Sequence, residues 1–257
     1  MPKFRLFPIL TNVKLIELKN FLFGLILFHA LTAEAFGWGL KDLGEEISVP
    51  LTTDAKDVVI YGTATTLILL AFQDQIVDPV QEEAVRAKPL GTSSQFGNLI
   101  GLGYPNLIYI FGQAIGGATG DDKGYDRSIG MFKATLYASS VTQILKVTVR
   151  EQRPGNKNER DSFPSGHSTI AFAFGGYILE EHGWQWGVPA LLMSIFTGAS
   201  RINDNRHYLH DVVAGATIGL AYGVGMSKFQ IKKEKVSFML VPIIDAQTKG
   251  LVMIEEF

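Results

Sequence analysis

The sequence predicts an all-α helical bundle that ends in a short C-terminal β-hairpin, and three observations carry that prediction. Apolar segments recur at 58–72, 96–117, 131–149, 168–179, 186–200 and 212–229. Their length and their Ala, Leu, Ile and Met content suit helices more than strands. Polar residues interrupt several of them, such as Gln113 in the second and Ser139, Ser140, Thr142 and Gln143 in the third. Most are also shorter than the roughly 20 residues a membrane span needs. They read mostly as buried helices of a globular bundle, with a membrane-embedded bundle as the open alternative. The tail then changes character, because residues 235–245 and 250–257 are β-branched and apolar and flank Ala-Gln-Thr-Lys-Gly. That pattern predicts the hairpin.

Taken in chain order, residues 1–35 have the organisation of a targeting segment. Lys3, Arg5, Lys14 and Lys19 precede the apolar run FLFGLILFHALTA, and Ala33-Glu-Ala35 supplies a small-x-small cleavage pattern. The expectation is export with cleavage near Ala35, and the alternative is an uncleaved anchor with its basic end in the cytoplasm. Residues 36–230 form the expected helical domain and 231–257 the hairpin tail. The hydrophilic stretches 74–95 and 117–127 read as surface connections, the second holding the turn-rich string Gly-Asp-Asp-Lys-Gly. Near the end of the helical region Gly215, Gly219 and Gly223 recur every four residues, which gives one helix a smooth face for close packing.

Composition removes several function classes. The 257-residue chain has no cysteine, so disulfides, thiolate zinc sites and thiol nucleophiles are excluded. Its formal net charge is -2 and it has no basic tract, so nucleic acid is not an expected partner.

Three polar clusters interrupt the apolar second half. In Lys146-VTVREQ-Arg153-Pro154 the two cations are seven residues apart, one helix face if the helix continues to Pro154. In Phe163-Pro164-Ser165-Gly166-His167 a glycine turn runs directly into an apolar helix. Free N–H groups and the positive end of a helix dipole gather there and favour an anion. In Ser200-Arg201-INDNR-His207-YLH-Asp211 the histidine and aspartate are four apart, so the carboxylate can fix the imidazole tautomer and raise the nucleophilicity of the other ring nitrogen. Taken singly, these are a dipole-complementing helix end, an N-cap and an i,i+4 pair. Together they supply cations and N–H groups for phosphate oxygens, one histidine to attack phosphorus and a second to protonate the leaving oxygen. The set calls for no metal and no cofactor, since no carboxylate-rich cluster accompanies the histidines.

These motifs, ordered within the 66 residues from Lys146 to Asp211, resemble the three-part signature of the type 2 phosphatidic acid phosphatase (PAP2) superfamily, which includes bacterial acid phosphatases and vanadium haloperoxidases. The resemblance implies an α-helical bundle of the PAP2/haloperoxidase type. It implies that His207 is the nucleophile forming a phosphohistidine, that Asp211 orients it, and that His167 is first the general acid and then the base. Lys146, Arg153, Ser165, Gly166 and Arg201 would bind phosphate. No motif covers the N-terminal third or the tail.

The function expected is a metal-independent phosphatase of the cell envelope, periplasmic after signal cleavage or else held in the membrane. Its substrate would be a phosphate ester, above all a lipid phosphate such as phosphatidic acid or a polyprenyl diphosphate. Two alternatives stand beside it: a vanadium-dependent haloperoxidase on the same residues, and a non-catalytic envelope protein that binds lipid.

Overall fold

The structure, a computed structural model, describes the backbone of residues 40–235, 238–244 and 249–255 and the side chains of residues 43–231. The segment read as signal or anchor, residues 1–35, lies outside the described residues. Nine α-helices are described: α1 (Leu40–Thr52), α2 (Lys56–Ala71), α3 (Asp78–Ala87), α4 (Ser94–Gly101), α5 (Tyr104–Ala118), α6 (Gly124–Val149), α7 (Gly166–His182), α8 (Trp184–Asn203) and α9 (Leu209–Lys235). The hairpin follows them. Strand β1 (Phe238–Ile244) pairs antiparallel with β2 (Lys249–Glu255), Phe238 opposite Glu255 and Ile244 opposite Lys249.

Local chemistry sets most of the helix ends. Gly103 at φ 91° turns the chain between α4 and α5, and Pro105 occupies the first turn of α5, where its missing N–H is no loss. The apolar segment 96–117 is therefore two helices rather than one. Ser165 caps α7, and Gly183 at φ 75° separates α7 from α8. Helix α6 stops at Val149 because Arg150 adopts a left-handed conformation, φ 55°. The sequence reading ran this helix on to Pro154; the structure instead places Arg153 on the loop beyond it, off the Lys146 face.

The centre of the bundle is α6, α7 and α9, with Met131, Ala134, Tyr137, Ala173, Tyr177, Tyr222 and Met226 buried among them. Burying a side chain such as Met131 or Met226 contributes about 1.5–3 kcal/mol each. A buried ion pair joins α1 to this core: Lys133 donates to Glu46, which also accepts from the Tyr137 hydroxyl at 2.7 Å.

The glycine stripe of α9 lies directly on α7. A Cβ on Gly215, Gly219 or Gly223 would fall within 2.4 Å of the carbonyl oxygens of Ser165, Thr169 and Ala173 respectively, so only glycine permits this backbone approach.

The expectation of buried helices holds for α6, α7 and α9 but not for α2, α5 and α8. These three present large apolar side chains outward, among them Ile60 and Leu67 on α2, Ile108 and Phe111 on α5, and Leu192 and Ile195 on α8, each more than half exposed. That is far more apolar surface than single scattered residues account for. Among the described residues one segment, Leu209–Ile231 of α9, is long and apolar enough to cross a membrane.

The stretch 74–95 also departs from its reading as a connection. It contains α3, whose Gln81 is buried and donates to the Asn205 side chain at 2.8 Å. A short helix that buries an amide rather than an apolar stripe leaves no hydrophobic period to detect.

Candidate active site

Because α7 and α9 meet backbone to backbone at their N-terminal ends, the second and third motifs are brought together. The Ser165 N–H donates to the Asp211 carbonyl at 3.0 Å, tying the two helix starts directly. Four residues before Asp211, on the short connection out of α8, His207 is 2% exposed, and its Nδ1 lies 3.5 Å from Asp211 Oδ2. The same carboxylate oxygen accepts from the Ser162 hydroxyl at 2.6 Å and the Tyr208 N–H at 2.8 Å. Two hydrogen bonds thus hold Asp211 Oδ2, His207 Nδ1 stands beside it without a hydrogen bond of its own, and Nε2 is the His207 nitrogen on the cavity side. Burial pushes the His207 imidazole below its ordinary value of 6.5, against the opposing pull of Asp211. The neutral, nucleophilic ring is the favoured form.

His167 stands in the first turn of α7, its ring seated against Gly101 of α4, where any side chain would collide with it. Its Nε2 lies 3.0 Å from Asn98 Oδ1, which also receives Arg201 at 3.1 Å. A guanidinium only donates, so this atom is a carbonyl acceptor and His167 Nε2 carries the proton. That proton is held by Asn98, and burial together with the nearby Arg201 pushes the imidazole down to about 4.

The phosphate-binding candidates fall into two groups. Lys146, at the last turn of α6, is buried, and its ammonium donates to the Asp161 and Ser162 carbonyls. Arg153 forms a fork with Asp161, at 2.8 and 2.9 Å, and contacts Glu159 at 3.0 Å. The Arg153 hydrogen bonds hold the Asp161 carboxyl below its usual range. Lys146, Arg153, Gly166, His167 and His207 line one cavity of about 630 Å³.

Ser165, Arg201 and Asp211 are buried outside that lining. Ser165 Oγ accepts from the Ser168 N–H at 3.4 Å and the Ser168 hydroxyl at 3.0 Å, so this side chain caps α7. Arg201 is held by Asn98 and by Asp204 at 3.1 Å.

Several residues of the site were not singled out from sequence. Arg150 and Arg160 join Lys146 and Arg153 on the cavity wall, with Asp161 as the lining carboxylate. A left-handed, non-glycine residue beside a cavity is conformational strain of the kind functional sites retain, and Arg150 is one. Asn98 lies far upstream of the first motif and has no local pattern to mark it.

The arrangement can bind a tetrahedral oxyanion between cations and helix N–H groups, attack it from His207 and protonate its leaving group from His167.

The model of the PAP2 superfamily matches residues 129–235. A lipid A 1-phosphatase of Porphyromonas gingivalis is 40% identical over 67 residues, 24% of this chain and 15% of that protein. A PA-phosphatase related-family protein of Dictyostelium discoideum is 29% identical over 156 residues, 49% of this chain and 56% of that one. The bacitracin transport permease protein BcrC of Bacillus licheniformis is 40% identical over 63 residues, 23% of this chain and 29% of that one. The chain therefore spans between about a seventh and just over half of these relatives' lengths.

The crystal structure of a transmembrane PAP2-type phosphatidylglycerolphosphate phosphatase from Bacillus subtilis superposes with a TM-score of 0.52 at 21% identity, covering 68% of this chain and 96% of that one. That likeness shows the fold. The resemblance read from the three motifs is matched by the PAP2 superfamily model, whose match over residues 129–235 covers all of them.

Proposed function

We propose that the protein is a metal-independent lipid-phosphate phosphatase working through a phosphohistidine. The observation that carries this is the pairing of His207, backed by the buried Asp211 carboxylate, with His167 on the wall of one cation-lined cavity.

In the first step His207 Nε2 attacks phosphorus as the bond to the leaving oxygen breaks. Burial and the neighbouring Arg201 hold the His167 imidazole down to about 4; the bound phosphate's negative charge favours its imidazolium form, which gives a ring proton to that oxygen and becomes neutral as the lipid alcohol departs. In the second step the now-neutral His167 nitrogen takes a proton from water, and the hydroxide attacks phosphorus. The P–N bond breaks, returning His207 and releasing inorganic phosphate. Lys146, Arg153 and the N-terminal N–H groups of α7 stabilise the charge on the non-bridging oxygens, while Arg201, outside the lining, acts through Asn98. Asp161 forks onto Arg153, so phosphate binding displaces that carboxylate.

The exposed apolar faces of α2, α5 and α8 support a membrane setting and a lipid substrate, and Trp184 and Trp186 suit an interface at the start of α8. The relatives named as acting on lipid A and on phosphatidylglycerolphosphate point the same way. With the N-terminal 35 residues acting as export signal or anchor, the site belongs to the cell envelope, on the periplasmic side.

The test is phosphate release from phosphatidic acid in detergent, with EDTA present, by wild type and His207→Ala. Release that survives EDTA and vanishes in the variant is expected. Equal release by the variant would remove His207 from the mechanism.

A further inference from the structure

Behind the nucleophile, a second histidine faces the other oxygen of Asp211. His210 is wholly buried, and its Nε2 lies 2.9 Å from Glu151 Oε1 and 3.4 Å from Asp211 Oδ1. The Tyr208 ring stacks on the imidazole with centroids 5.3 Å apart and planes 12° from parallel, which leaves the histidine little freedom to turn.

The two oxygens of Asp211 are treated differently. Oδ2 receives Ser162, the Tyr208 N–H and the His207 approach. Oδ1 is buried without a hydrogen bond, and His210 Nε2, whose one proton goes to Glu151, stands 3.4 Å from it. A shift of a few tenths of an ångström would share that proton between Glu151 Oε1 and Asp211 Oδ1 as a three-centre bond. Glu151 is in turn fixed to the same assembly, since its carbonyl accepts from the Ser162 N–H at 3.0 Å while the Ser162 hydroxyl holds Asp211. The ring of Glu151, His210, Asp211 and Ser162 locks the phosphate-side loop to the first turn of α9.

We infer that Glu151 and His210 are positioning residues for the nucleophile. Glu151 accepts from His210 and orients it; the same Nε2–H, shared toward Oδ1, steadies Asp211; Asp211 then presents Oδ2 to the Nδ1–H of His207, which aims Nε2 at phosphorus. An aspartate free to rotate about its Cβ–Cγ bond would lose the His207 contact first, since that is the longest of its Oδ2 interactions. Neither Glu151 nor His210 belongs to the three motifs. The inference rests on His207 being the nucleophile.

A bound metal is the rival occupant, because Glu151, His210 and Asp211 each offer a ligand atom within 4.8 Å of the others. The 2.9 Å approach of His210 to Glu151 is a direct hydrogen bond and favours the pair as it stands.

The experiment measures kcat, KM and thermal midpoint on phosphatidic acid for wild type, His210→Ala, His210→Gln, Glu151→Ala and Glu151→Gln, with His207→Ala as reference. In His210→Ala and Glu151→Ala kcat should fall by about tenfold to a hundredfold, the range usual for outer-shell partners of a working histidine, with KM little changed. His210→Gln keeps a side-chain N–H for Asp211 and should regain part of the rate; Glu151→Gln keeps an acceptor for His210 and should lose less than Glu151→Ala.

Wild-type kcat in folded His210→Ala or Glu151→Ala would overturn the inference. So would a rate loss that tracks thermal midpoint alone, or a wild-type rate lost to EDTA and restored by Zn²⁺. If His210→Ala does not fold, the two Glu151 variants decide. Activity retained by His207→Ala would instead strike at the phosphohistidine reading itself.

Discussion

At the scale of single residues, the site depends on which nitrogen of each histidine is committed. His207 turns Nδ1 toward a carboxylate, and His167 carries its proton on Nε2 because Asn98 accepts there. On the proposed phosphohistidine mechanism, His207→Ala should lower kcat by at least about a thousandfold, since residues of one covalent mechanism fail as a unit. Asn98→Ala removes one acceptor shared by His167 and Arg201, and kcat should fall by roughly tenfold while the fold persists, checked by kinetics beside a thermal melt. Because burial holds the His207 imidazole below 6.5, the neutral nucleophile survives to lower pH than an ordinary histidine would allow. The acid limb of kcat/KM attributable to His207 should therefore fall below pH 6.5, and a pH–rate profile reads it directly. Arg150 and Arg160, which add positive charge to the cavity wall, belong at this scale too. Arg150→Gln with Arg160→Gln should raise KM for phosphatidic acid several-fold and change kcat little, as lost ground-state attraction does.

At the scale of elements, the site is made by the α7–α9 contact. Gly215→Ala would set a Cβ 2.4 Å from the Ser165 carbonyl, at the point where the helix starts carry His167 and Asp211. The backbones must part, and stability should drop by about 1–3 kcal/mol, with activity falling as well. Gly44→Ala is the control, because nothing lies within 4 Å of the added carbon in the interior of α1. It should be neutral or slightly stabilising in the same melt. These elements also show what a sequence discloses. The helical bundle, the hairpin and the glycine stripe were legible, because each rests on periodicity or spacing within one segment. The residues of the three motifs were legible for the same reason, and the structure sets Lys146, Arg153, Gly166, His167 and His207 round one cavity. Asn98, Glu151 and Asp161 were not, since their roles arise only when α4 and the 150–165 loop fold over α7 and α8. The break at Arg150 was missed because nothing but a positive φ on a non-glycine residue marks it.

At the scale of the whole molecule, the outward apolar faces of α2, α5 and α8 carry the question of setting. Side chains of this size at more than half exposure are poorly accommodated by water and well accommodated by lipid. The protein should stay in the membrane fraction through an alkaline carbonate wash; release into the supernatant would remove the bilayer from the account. The C-terminal hairpin carries none of the site residues, and a chain truncated before Lys235 should keep its turnover. The central claim is that phosphate passes through His207, and trapping the intermediate tests it most directly. Protein mixed briefly with labelled phosphatidic acid and quenched in base should carry an acid-labile, base-stable label on the peptide containing His207, absent in His207→Ala. Turnover with no such label, or a label that persists in the variant, would contradict the account.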